Sequence, residues 1–210
     1  MVNALVHFVV SVIIYRQKLA DKNIHYLITG LVLVFITLAF PVQLDGNWVT
    51  LLWAGEAALL FWIGRTKQVS FYEKLSYPLM FLAFFSIIQD WSDGYASYVP
   101  DIPESRITPL FNVNLLTSVL FIAAFVFINI LNKTSQPHFQ RQKGTANIFS
   151  FIIPGILIFT IYYAFVMEIT TYWNQLFTDS AIEINSEGRT YPDTYWNYDL
   201  ISFKTIWTIN

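Results

Sequence analysis

One acid sits deep in an apolar run. Residues 51–64 read LLWAGEAALLFWIG, and Glu56 lies eight positions from both Trp48 and Gly64. At the centre of a bilayer a charge costs about 2.5–3.5 kcal/mol on insertion scales. The neutral acid is therefore the cheaper form there, and it can donate one hydrogen bond and accept others. Two roles suit such a group. One is an interhelical hydrogen-bond anchor, worth about 0.6 kcal/mol. The other is a proton or cation relay, or a ligand contact. At 100° per residue Trp53, Leu52, Leu59 and Leu60 share the Glu56 face. His7, Thr37, Ser86, Thr117 and Thr160 are the polar groups that other segments offer it, and no basic residue falls inside a predicted span. Ala54 and Ala58 lie opposite Glu56, with Gly55 and Ala57 beside it. Small residues let backbones approach closely, so this helix is expected to be covered on most faces.

Other chemistry is sparse. There is no cysteine, which excludes disulfides, thiolate metal sites and cysteine nucleophiles. His7, His25 and His138 are far apart and have no metal-ligand spacing. No phosphate-binding glycine loop and no nucleophile elbow is present. No metal, cofactor or catalytic pair is expected, and no reaction is assigned. A net charge of −2 and a pI near 5.9 supply no basic stripe for nucleic acid. Residues 170–202 combine Trp173, Tyr191, Tyr195 and Trp196 with acids. That mixture suits glycan or protein docking, or else a loop lying against lipid headgroups.

These residues must be positioned by elements in lipid. Hydrophobic residues make up 55% of the 210 and charged residues 12%, about half the share of a soluble domain. Apolar runs fall at 24–41, 48–64, 77–91 (or from 71), 113–131 and 148–167, most near the ~20 residues a spanning helix needs. The runs do not alternate as barrel strands would, and lipid demands internally satisfied backbone, so they are helices. The opening run, MVNALVHFVVSVIIY, has neither a basic n-region nor a cleavage site, and reads as a membrane segment. It is short for a span, and ISFKTIWTIN resembles the start of another run. The expectation is an all-α, polytopic transmembrane bundle of six or seven segments. It forms one domain over 1–210, cut from a longer chain whose remainder is a partner, as is the lipid bilayer.

Charge sets the orientation. Arg16, Lys18 and Lys22, then Arg65, Lys67 and Lys74, then Lys133, Arg141 and Lys143 fall in alternate connections. The opposite connections hold only Arg106, Arg189 and Lys204, with ten acids that include Asp90, Asp93 and Asp179. Lysine and arginine favour the cytoplasm. Loops 16–23, 65–74 and 132–146 are thus expected inside. The N-terminus and loops 91–112 and 170–202 are expected outside. Trp48, Trp62, Trp91 and Trp173 fall near helix ends, where headgroups favour them. Asp45-Gly46 should turn the chain into its third segment, and Pro154-Gly155 should kink the sixth.

The run PVQLDGNWVTLLWAGEAALLFWIGR, through Pro41, Leu44, Gly46, Trp48, Trp53, Glu56, Ala57, Trp62 and Gly64, resembles a bacterial polytopic family. That family, domain of unknown function 2339, comprises predicted membrane proteins. The resemblance covers about twenty-five residues. It implies a bacterial inner membrane and a longer, many-span chain, and it supplies no activity, cofactor or catalytic residue. Two functions follow from these readings. One is a transporter- or channel-like bundle with Glu56 in a central polar site. The other is a non-catalytic envelope scaffold whose outer aromatic-acidic loops bind envelope proteins or glycans.

Overall fold

The computed structural model describes residues 37, 46–95, 98–100, 102–134, 143–184 and 193–202. Side chains at 143–147, 184 and 193 are not part of that description. Segments one and two, apart from Thr37, lie outside the described residues, as do His7, His25, His138 and Tyr191. The rest is mostly helical: α1 (Asn47–Lys67), α2 (Ser70–Gly94), a 3-10 turn (Pro103–Ser105), α3 (Val113–Lys133) and α4 (Lys143–Asp179). Among the described residues three helices are long and apolar enough to cross a membrane: Ser70–Gly94, Val113–Lys133 and Ile148–Asp179. α1 is similar in length, but its polar residues keep it out of that set.

The helix boundaries have local causes. Gly46 turns the chain into α1 at φ 57°. α1 ends at Gln68, which is left-handed at φ 56°, and the Val69 N–H closes onto the Gly64 carbonyl at 3.0 Å. This six-to-one bond is the Schellman closure. It leaves only Gln68 and Val69 between α1 and α2, so Arg65, Lys67 and Lys74 are helical rather than loop residues. α2 runs through Pro78 and α4 through Pro154. Each proline removes one N–H from the ladder, a loss that membrane helices tolerate. Asn112 caps α3, its side chain accepting from the Leu115 N–H at 2.8 Å.

α1 and α2 form a helical hairpin, α3 packs along α1, and α4 packs along α3. Aromatic rings fill the seam between α2 and α4. Tyr77 stacks on Phe149, Phe84 meets Phe159 edge-on, and Trp91 stacks on Tyr163. The core comprises Phe61, Met80, Ile87, Phe121, Phe125 and Ile153, all nearly sealed. Phe151, Ile158, Phe165, Leu116 and Ile130 point outward, as expected of walls that lipid wets.

Two features depart from the sequence reading. At 37 residues, α4 is about 55 Å long at ~1.5 Å per residue. It outruns a hydrocarbon core of about 30 Å, and the part from Glu168 to Asp179 is helix and not loop. After it comes a hairpin. β1 (Ile182–Ile184) pairs antiparallel with β2 (Asp193–Tyr195), with Ile182 opposite Tyr195. Its short strands were hidden among acids and aromatics.

The small residues of α1 do not cover every face. Ala54 and Ala57 are sealed in the core, whereas Gly55 is exposed and a Cβ built on it meets nothing within 4 Å. Gly64 is the tight point, where an added Cβ would sit 2.6 Å from the Glu73 backbone nitrogen. Ala57→Leu is therefore expected to cost about 1–3 kcal/mol by overpacking, while Gly55→Leu should be tolerated. Unfolding of both variants in detergent, followed by circular dichroism, checks the pair. Equal losses would contradict this packing.

Candidate functional site

Among the described residues, polar side chains in the bundle gather at four places. The first surrounds Glu56. The Thr37 hydroxyl lies 2.9 Å from both Glu56 carboxyl oxygens. The Trp53 indole N–H donates to the Thr37 carbonyl at 3.3 Å. Glu56 and Trp53, one turn apart on α1, thus converge on one residue of the second segment. Thr37 was among the partners that the sequence offered. Of the others, His7 lies outside the described residues, Ser86 bonds Thr50, Thr117 bonds the Val113 carbonyl, and the Thr160 hydroxyl is sealed in α4 without a partner among the described residues.

The second place is near one end of the α1–α2 hairpin. The Thr50 hydroxyl lies 2.5 Å from the Ser86 hydroxyl and 2.5 Å from the Asp90 carboxylate. Thr50 has one proton to give. The consistent arrangement has Ser86 donating to Thr50 and Thr50 donating to Asp90. Thr50 and Asp90 are buried and Ser86 is half-buried. Beside them the Trp91 indole donates to Ser118, Ser118 donates to the Asn114 carbonyl, and Asn47 donates to the Asn114 side chain. Asp90 was assigned to an outer loop in the sequence. The helix instead continues four residues beyond it, to Gly94. The apolar run 77–91 already contained it, and only its grouping with the outer acids hid it.

Glu168 forms the third place and was missed, because the sixth apolar run stops at Met167. It is buried, and its carboxylate receives three donors: the Tyr95 hydroxyl at 2.6 Å, the Asn112 amide at 2.6 Å and the Leu110 N–H at 2.8 Å. Leu110 presents that N–H from a left-handed backbone at φ 64°, a conformation costly for a residue with a Cβ. Further along α4, Gln175 donates to the Ile107 carbonyl. Asp179 accepts from Tyr98 at 2.7 Å and from Arg106 at 3.0 Å. Residues 168, 175 and 179 lie within about 40° of one another on α4. That stripe straps the 98–112 connection along the helix. Burial, then the bond to Glu168, raises the Tyr95 phenol, and the bond to Asp179 raises that of Tyr98. Both hydroxyls therefore keep their protons and serve as donors. This place reads as structural, since each carboxylate oxygen in it accepts a local donor.

The fourth place closes the opposite end of the hairpin. Arg65 lies 3.5 Å from Glu73 and donates to Asn132 of α3 at 3.1 Å. The Tyr77 hydroxyl donates to Glu73 at 2.9 Å, and the Arg65 guanidinium lies over the Phe61 ring at 5.1 Å. Arg65 and Glu73 are both buried. The sequence placed Arg65 in a cytoplasmic loop.

The outer aromatics separate. Trp196 stacks on Phe177, which also meets Tyr198. Trp173 lies against its neighbour Tyr172 on α4, and Tyr195 is exposed at the end of β2. No group of three or more metal-binding His, Cys, Asp or Glu residues occurs among the described residues. Comparison with protein-family models, curated proteins and solved structures yields no match.

Proposed function

We propose that this chain is a multi-pass helical protein of a bacterial inner membrane, with six or seven segments and its N-terminus outside. In this reading it is transporter- or channel-like, and Glu56 lies in a central polar site. The observation that carries it is the setting of Glu56, a mid-helix carboxyl held by the Thr37 hydroxyl, with no ion pair to it among the described residues. A charged partner would fix the acid permanently as an anion. A hydroxyl partner leaves it free to gain and lose a proton, as relay carboxyls in membranes do. The alternation of basic and acidic residues between successive helix ends and connections supports the orientation. Membership in the polytopic family rests on residues 41–65 alone.

The purified protein in liposomes tests this reading. With an imposed potential and a trapped pH dye, wild type should admit protons faster than empty vesicles. Glu56→Gln keeps the shape and the hydrogen bond but cannot release a proton, so it should fold and fall to the empty-vesicle rate. Glu56→Leu should also lose the tie to Thr37 and show reduced membrane abundance. Flux unchanged in Glu56→Gln, or wild type no faster than empty vesicles, would overturn the reading. The envelope-scaffold reading keeps support from one observation, the exposure of Tyr195, Trp196 and Tyr198 beside the hairpin.

A further inference from the structure

We infer that Asp90, bonded to Thr50 and hydrogen-bonded through it to Ser86, is a second proton-binding site, placed at the mouth of the bundle rather than at its middle. This inference rests on the reading of the bundle as a proton-handling protein, but its chemistry is separate from that of Glu56. Three observations converge. Asp90 is 7% exposed and lies inside a helix long and apolar enough to span a membrane. No lysine, arginine or histidine pairs with it among the described residues. Its partner Thr50 is completely buried and can donate only one proton, to one of two oxygens that are both 2.5 Å away.

The spacing favours a proton over a metal ion. Oxygens 2.5 Å apart are at the short limit of an O–H···O hydrogen bond. Hard cations held at about 2.3–2.6 Å by six or more oxygens spread their ligands wider than that. Nor does the role need an acid for structure alone, since asparagine could accept from Thr50 without the cost of a buried charge. The acid adds one capacity, exchange of a proton with water: carboxylate and hydronium give carboxylic acid and water. Asp93 marks the route, one turn nearer the helix end and exposed. Apart from Asp93, the other groups at this level among the described residues are uncharged. α1 presents Asn47 and Thr50, α3 presents Asn114 and Ser118, and α4 presents Tyr163 against Trp91. Glu168 of α4 is occupied by Tyr95, Asn112 and Leu110.

Infrared difference spectra of the full chain in liposomes, recorded while external pH is stepped, test the site directly. A protonated-carboxyl C=O band should appear and vanish reversibly with pH and be absent in Asp90→Asn. Thr50→Val should keep the band but move it to higher frequency, because one hydrogen bond to the group is lost. Glu56→Gln should leave this band in place, which separates the two acids. Should the spectra of wild type and Asp90→Asn coincide across the pH range, the inference is wrong, whatever the flux assay shows. If the band is present but wild type carries no proton flux, the transport reading fails and the proton site stands.

Discussion

Arg65→Ala is expected to destabilise the folded bundle by about 3–5 kcal/mol, the cost of stranding one member of a buried ion pair. Glu73 would be left among α1, α2 and α3 with only Tyr77 donating to it among the described residues. Its second carboxyl oxygen is already buried and without a partner among the described residues, so nothing can take up the slack. Asn132 would lose the Arg65 donor as well. Arg65→Lys should recover only part of the loss, since an ammonium lacks the planar fork that lets the guanidinium reach two residues and lie over a ring. The double variant Arg65→Leu/Glu73→Leu should be far milder than Arg65→Ala, because replacing both charges with apolar groups removes the desolvation penalty. Denaturant unfolding in detergent, arranged as a double-mutant cycle, measures the coupling. A loss below about 1 kcal/mol for Arg65→Ala would resemble an exposed pair and would contradict its placement in the core.

Glu168→Ala should release the 98–112 connection from α4. Hydrogen bonds to charged groups contribute about 1.5–3 kcal/mol each, and this carboxylate accepts three. Allowing for the cost of burying it, a net loss of about 2–4 kcal/mol follows. Leu110 would also lose the contact that offsets its left-handed backbone. Glu168→Gln should lie between, since its amide can accept at one position but presents a second donor to a donor at the other. Arg106 provides the readout, as it is the only basic residue between 75 and 132. Trypsin cleavage after Arg106 should accelerate in the order wild type, Gln, Ala. Equal rates in all three would mean that the strap depends on Gln175 and Asp179 instead.

The features that a sequence shows well are those set by composition over twenty residues. The apolar runs that became α1, α2, α3 and α4 were legible, because lipid-facing length leaves little ambiguity. Glu56 was legible because it interrupts such a run, and Thr37 could be named among its partners. Asp90, Glu168 and Arg65 were not. Arg65 and Asp90 lie within about a turn of a helix end, and Glu168 lies just past an apolar run, where a buried acid or base has the same local sequence as a solvated one. What buries them is tertiary: Thr50 of α1 closing over Asp90, the 98–112 connection folding onto Glu168, and Asn132 of α3 meeting Arg65. The faces of α1 were misassigned for a similar reason. Its small residues read alike, but α2 and α3 cover Ala54 and Ala57 and leave Gly55 open.

In the proposed function the chain crosses a membrane with its basic ends together on the cytoplasmic side. The sequence has no cysteine, so single cysteines at Thr66, Ser97 and Ser186 are unique labels. Thr66 lies at the exposed end of α1, between two basic residues. An impermeant thiol reagent applied to cells stripped of the outer-membrane barrier should label Ser97→Cys and Ser186→Cys. It should reach Thr66→Cys only after the inner membrane is permeabilised. Labelling of Thr66→Cys in intact cells, with Ser97→Cys and Ser186→Cys protected, would contradict the orientation and the reading built on it.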